Sequence, residues 1–126
     1  MSGQNVLFIK GTSKTPQIDF KPGFLQISGR SIPEDSSSFF QPVLNWLEDY
    51  LKNPEQLTRV NIQMEYVNSN SNRMLFSILK LLDESYSQGH NIVINWYYEE
   101  DDDTIKNLGK DLQALVKVPF KLVEIV

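Results

Sequence analysis

The feature that most limits what this chain can fold into is a repeated change of hydrophobic period after residue 58. Arg59 to Val67 (RVNIQMEYV) alternates Val60, Ile62, Met64 and Tyr66 against Asn61, Gln63 and Glu65, the period of two expected of a strand with one buried face. The next segment carries Leu75, Ile78, Leu79, Leu82 and Tyr86 at helical spacing, and Gly89 follows where a left-handed C-cap belongs. His90 to Tyr98 (HNIVINWYY) is apolar on both faces over much of its length, which suits an interior strand. Residues 103 to 116 return to a helical period through Ile105, Leu108, Leu112 and Leu115, and Lys121 to Val126 read as a last strand.

The N-terminal part reads differently. Val6 to Lys10, Gln17 to Phe20 and Phe24 to Ser28 are short β-prone runs, and Lys21-Pro22-Gly23 supplies the Pro and then Gly of a type II turn, so residues 16 to 28 are expected to form a hairpin. From Asp35 a helix is expected through Phe39, Val43, Leu44, Leu47, Tyr50 and Leu51, capped by Asp35 or one of the serines 36 to 38. Pro42 sits awkwardly in it: either the first turn is distorted or the regular helix begins near Gln41. The order β-β-β-α-β-α-β-α-β predicts one α/β domain over residues 1–126, a sandwich with a mixed sheet, an N-terminal hairpin, and parallel strands joined by right-handed helical crossovers, with about three helices. In such a sheet the loops leaving the carboxyl ends of the parallel strands share one edge. Gly29 to Asp35, Asn68 to Asn72 and Glu99 to Asp103 are therefore expected to be neighbours.

Composition removes several classes of function. A net charge of −4 and a pI near 4.9 argue against nonspecific nucleic-acid binding, which needs clustered Lys and Arg. The absence of Cys excludes disulfides, thiolate metal sites and thiol catalysis. His90, the only histidine, is expected at a strand start on the opposite edge from the clustered loops, which leaves Ser-His-Asp chemistry little support. The glycines are scattered, with no phosphate-binding loop, and nothing in the pattern implies a cofactor. No run approaches about 18 apolar residues, and the start has no basic region leading into one, so a cytosolic protein without membrane insertion is expected.

The alternating Asn and Ser residues from Asn68 to Asn72 stand where a strand gives way to a helix. The plain reading is capping, by Ser69, Asn70 or Ser71. The functional reading uses the same geometry: free amides and the positive helix end would accept a phosphate on Ser69, with Arg73 one turn along to pair with it. The acidic run Glu99 to Asp103 has two readings as well. Carboxylates here could hold magnesium, but consecutive acids point in different directions, and acids in a first helical turn offset the dipole. A metal-dependent hydrolase using Asp101 to Asp103 is thus an alternative, as is a module binding a small ligand at the same edge.

Three stretches carry a resemblance to a known family. ISGRSIPEDSSSFFQPVLNWLEDYLKNP, EYVNSNSNRMLFSILKLLDE and INWYYEEDDDTIKNLGKDL together resemble the SiaC-type regulatory phosphoproteins, small bacterial proteins with a fold like that of STAS anti-sigma-factor antagonists. The resemblance implies a noncatalytic switch that is phosphorylated by a dedicated serine/threonine kinase and dephosphorylated by a PPM-type phosphatase. It implies further that the unmodified form activates a diguanylate cyclase, raising cyclic di-GMP and favouring aggregation or biofilm. The family's Glu-Tyr-x-Asn pattern places the acceptor at Ser69, where Ser replaces the usual Thr, and leaves Ser71 as the alternative acceptor. Residues expected to face a partner are Arg30, Asn68, Asn70, Arg73, Tyr97, Glu99, Asp101 and Asp102.

Overall fold

The computed structural model describes residues 5–125. In chain order the elements are β1 (Leu7–Ile9), β2 (Gln17–Lys21), β3 (Phe24–Ser31), α1 (Ser36–Tyr50), β4 (Thr58–Val67), α2 (Ser69–Ser87), β5 (Ile92–Glu99), α3 (Asp103–Gln113) and β6 (Phe120–Ile125). All six strands form one sheet in the order β1-β2-β3-β4-β5-β6. The first three are antiparallel and β3 to β6 are parallel, as the sequence predicts. The hairpin closes with Lys21 opposite Phe24, and Gly23 adopts a φ of 84° that its missing Cβ permits.

A monotonic strand order with right-handed crossovers stacks every helix on one face. Alternate strand residues divide accordingly. Ile18, Phe20, Leu25, Ile27, Val60, Ile62, Ile94 and Trp96 have no solvent exposure, each aliphatic side chain contributing roughly 1.5–3 kcal/mol by burial. Gln26, Asn61 and Asn95, one register position on, are half-buried on the face without helices, where the Asn95 amide donates to Asn61 Oδ1 at 3.0 Å.

Asp35 caps α1, accepting from the Ser38 N–H at 3.1 Å and the Ser38 hydroxyl at 2.7 Å. The helix therefore begins at Ser36, ahead of the alternative start near Gln41, with Pro42 in its interior. Pro42 is on the solvent side, where water can take the carbonyl whose amide partner proline removes. At the other end the Tyr50 hydroxyl accepts from the Gly23 N–H at 2.9 Å and the Glu55 N–H at 3.1 Å, and bonds Thr58 Oγ1 at 2.8 Å. One phenol thus ties the helix to the hairpin turn and to the start of β4.

α2 ends as predicted. Gly89, at φ 101°, donates to the Tyr86 carbonyl while His90 N–H reaches back to Ser85, a Schellman closure. His90 stands at the amino end of β5, the edge away from the clustered loops as expected, and bonds Ser85 Oγ through Nδ1 at 2.9 Å.

Three expectations need correction. Tyr66 does not continue the buried row of β4; it is 48% exposed, because the register with β3 shifts between Gly29 and Arg30 and parity is lost beyond Met64. Tyr86 is 37% exposed near the helix end. The third helix stops at Gln113 and leaves Leu115 62% exposed. The Leu115 and Val116 amides turn to carbonyls three residues back, and Asp83 Oδ1 accepts the Lys117 and Val118 N–H groups at 2.8 and 2.9 Å, drawing the chain toward β6.

Candidate functional site

The predicted neighbourhood exists at the carboxyl ends of the parallel strands. Arg30 and Ser31 pair with Tyr66 and Val67, and the Asn68 N–H donates to the Ser31 carbonyl at 3.0 Å, which pins the start of α2 against the end of β3. A cavity of about 390 Å³ joins Arg30 and Glu65 to Tyr98, Glu99 and Asp102. A second, of about 200 Å³, lies between the first turns of α1 and α2 and is lined by Glu34, Asp35, Ser37, Asn70 and Arg73.

The surplus of small polar residues at the junction divides into distinct duties. Asn68 is the cap: its Oδ1 accepts the Ser71 N–H at 2.8 Å, so its side chain serves the helix. Ser69 is the first helical residue and is exposed. Ser71 is fully buried, accepting from the Ser31 hydroxyl at 2.7 Å and lying 3.4 Å from Ser36 Oγ. Asn70 and Arg73 face the cleft toward α1. Tyr97 is not brought to this group. Trp96 and Tyr98 meet α3, through Ile105 and Lys106, so Tyr97 points to the opposite face, level with Gln63 and Val123.

The acidic run is likewise divided. Glu99 ends β5, Asp102 caps α3 by accepting the Ile105 N–H at 3.0 Å, and Asp103 lies in the first turn. Among the described residues no three of His, Cys, Asp or Glu are grouped to hold a metal ion. Across the way, hydrogen bonds from the Ser38 hydroxyl and N–H hold the Asp35 carboxyl below its ordinary pKa. With Glu34, Asp35, Glu65 and Glu99 to Asp103, this edge gathers half of the chain's 16 acidic residues, which makes it the negative pole of the molecule. Two arginines stand within it: the Arg30 guanidinium carbon is 5.8 Å from the centre of the Tyr66 ring, and Arg73 lines the second cavity with Glu34 and Asp35. Sequence reasoning missed Tyr66 as a surface group; the available sign was Gly29 inside a strand, which often marks a bulge.

The family model for the SiaC family regulatory phosphoprotein matches residues 9–125. The chain belongs to the SiaC family. An uncharacterised protein of Pseudomonas aeruginosa (strain UCBPP-PA14) is 29% identical over 118 residues, covering 92% of this chain and 94% of that protein. SiaC of Pseudomonas aeruginosa superposes with a TM-score of 0.90 at 27% identity, over 97% of this chain and 100% of that one. A SiaC chain crystallised as the activator in complex with the diguanylate cyclase SiaD, also from Pseudomonas aeruginosa, superposes with a TM-score of 0.88 at 28% identity, over 94% of this chain and 99% of that one. Among the described residues no helix of this SiaC-family chain is long and apolar enough to cross a membrane.

Proposed function

We propose that this SiaC-family chain is a noncatalytic cytoplasmic switch, a single domain whose unmodified form binds and activates a diguanylate cyclase, and that a phosphate on Ser69 ends the association. The observation that carries the reading is the contrast between two hydroxyls on one helical turn: Ser69 is exposed at the first position of α2, and Ser71 is sealed. A kinase can reach the first without unfolding anything. The partner is inferred from the SiaC chain crystallised with a diguanylate cyclase, whose fold this chain shares almost end to end.

The chemistry of the site fits a charge switch. Ser69 sits where unpaired amides and the positive helix end favour an anion, so the phosphate is accommodated by the domain itself. For a docked partner the outcome is the reverse. Phosphoserine carries about −1.5 to −2 charges. At an effective dielectric of ~20, two like unit charges ~6 Å apart repel by roughly 3 kcal/mol. If ~2 kcal/mol survives salt screening, affinity falls about thirtyfold. A serine/threonine kinase and a PPM-type phosphatase would set the phosphorylated fraction.

The deciding experiment is capture of the diguanylate cyclase by the purified chain, with cyclic di-GMP production as the readout. Unmodified protein and Ser69→Ala are expected to bind and activate, whereas protein phosphorylated on Ser69 and Ser69→Asp are expected to bind at least tenfold more weakly. Equal activation by phosphorylated and unmodified protein, or phosphate found only on Ser71, would refute the reading.

A further inference from the structure

Three cavities follow one another between α1 and α2. The first, of about 200 Å³, opens at their amino ends beside Ser37, Asn70 and Arg73. One helical turn on, a second of about 380 Å³ is lined by Gln41, Leu44 and Ser77. It shares Glu48, Leu81 and Glu84 with a third of about 250 Å³, which reaches Leu51 and Gln88. Together they make one groove along the two helices, roughly 27 Å from Asn70 to Gln88 at ~1.5 Å per residue.

The sequence explains the groove. Phe40, Val43 and Leu47 of α1 and Leu75, Ile78 and Leu82 of α2 are fully buried in the core, so the helices meet along their flanks, where Ser37 and Ser77 are too small to fill the space. The Ser77 hydroxyl turns back to the Arg73 carbonyl at 3.1 Å. The floor is apolar: Leu44, Met74 and Leu81 are half-buried, packed on the core from one side and lining the groove with the other. The walls are charged. Glu48 from α1 and Glu84 from α2 are exposed, and each borders both of the larger cavities, so two carboxylates flank the groove where those cavities join. Neither is paired: among the described residues the only ion pair within 4.0 Å is Lys52 with Asp49.

We propose that this groove receives an amphipathic helix of the partner, its apolar stripe over Leu44, Met74 and Leu81 and a basic side chain between Glu48 and Glu84. The form of the occupant follows from the walls. Both are helices with their backbone bonded internally, so an extended peptide finds no sheet edge to pair with, whereas a helix satisfies its own amides and needs only side-chain complementarity. Its charge follows from the two glutamates, which a single guanidinium or ammonium between them would bind together. Lys80, one turn nearer Ser69 on the α2 wall, fits an acidic residue one turn away from that base. The inference rests on the reading that the unmodified chain binds a diguanylate cyclase. The groove begins at Asn70, next to Ser69, so a phosphate there would stand at its mouth and meet the end of the seated helix.

The test uses the full chain and the purified diguanylate cyclase. In protein with carbon-13-labelled Leu and Met methyl groups, those of Leu44, Met74 and Leu81 should shift or broaden on adding the cyclase, while those of Leu115, exposed beyond α3, should not. Ser77→Trp, which fills the middle of the groove two turns from Ser69, should weaken capture about tenfold or more. Glu48→Lys with Glu84→Lys should do the same, whereas Thr104→Lys with Asn107→Lys and Asp111→Lys, an equal change of net charge at exposed positions of α3, should change it by about threefold at most. Photo-crosslinkers at Ser77 and Lys80 should capture residues about three, four or seven apart in one cyclase segment. The methyl titration needs no variant, so a misfolded Ser77→Trp leaves the proposal decidable. Methyl shifts confined to other faces, capture unchanged in both groove variants, or cross-links to a second copy of this chain would overturn the proposal and leave the cyclase switch standing. A wild-type chain that captures no cyclase overturns both.

Discussion

Ser31 donates its hydroxyl hydrogen to the Oγ of Ser71 across 2.7 Å, with both side chains at zero exposure. This bond joins the end of β3 to the first turn of α2, and Ser36 Oγ, 3.4 Å from the same oxygen, brings in the first turn of α1. Ser71→Ala removes the acceptor and leaves the Ser31 hydroxyl buried without it. The expected cost is about 1–3 kcal/mol in urea unfolding, with phosphorylation of Ser69 retained. A variant as stable as wild type would mean that Ser31 finds another partner.

Asp35 makes the cap of α1 sensitive to acid. Its folded pKa is depressed, first by the Ser38 hydroxyl and then by the Ser38 N–H, so the stability it adds is present above the ordinary pKa of 3.8 and lost as pH falls through the lower folded value. Asp35→Ala should therefore lower Tm at pH 7, and the gap from wild type should narrow steadily below about pH 4. Thermal melts from pH 7 to 2.5 test this; a gap that persists at the acid end would remove the charge from the explanation.

Gly109 is where α3 closes on the sheet. A Cβ there would fall 2.5 Å from Trp96 Nε1 and 2.8 Å from Leu122 Cδ2, and Trp96 is fully buried with its indole N–H donating to the Ile105 carbonyl at 2.9 Å. Although alanine favours helix, Gly109→Ala should destabilise by about 1–3 kcal/mol through overpacking, with a change in tryptophan emission. A stabilised variant would show that α3 can shift away freely.

The order of elements was legible because the hydrophobic period changes cleanly from two to 3.6 at each junction, and Gly89 and Asp35 announce their helix ends by residue type. Tyr66 was misread because the parity of β4 is broken by its pairing with β3, a contact between residues far apart in sequence. The choice between Ser69 and Ser71 was partly readable: Ser71, Leu75 and Ile78 fall on one helical stripe, so Ser71 follows the core. The Arg30 and Tyr66 contact was not readable, because it exists only after the bulge has turned both side chains outward. Nor was the role of Gly109, since close approach to Trp96 depends on how α3 crosses the sheet.

The acidic edge leads to a prediction about rate. A partner meeting Glu34, Asp35, Glu65 and the run Glu99 to Asp103 approaches a negative pole, so a diguanylate cyclase that docks there must present a basic or neutral surface. If it is basic, association should be fast at low salt and slow by about tenfold or more as ionic strength rises, with dissociation changing much less. Glu99→Gln with Glu100→Gln and Asp101→Asn should flatten that dependence while leaving Asp102, which holds the α3 cap, in place. A phosphate on Ser69, as proposed, would add negative charge to the same pole, and long-range attraction to a basic partner would rise with it. The loss of binding proposed for the phosphorylated form is then expected in the dissociation rate, through close-range repulsion. Stopped-flow measurements on both forms separate these cases; a lower association rate with unchanged dissociation would contradict the local mechanism.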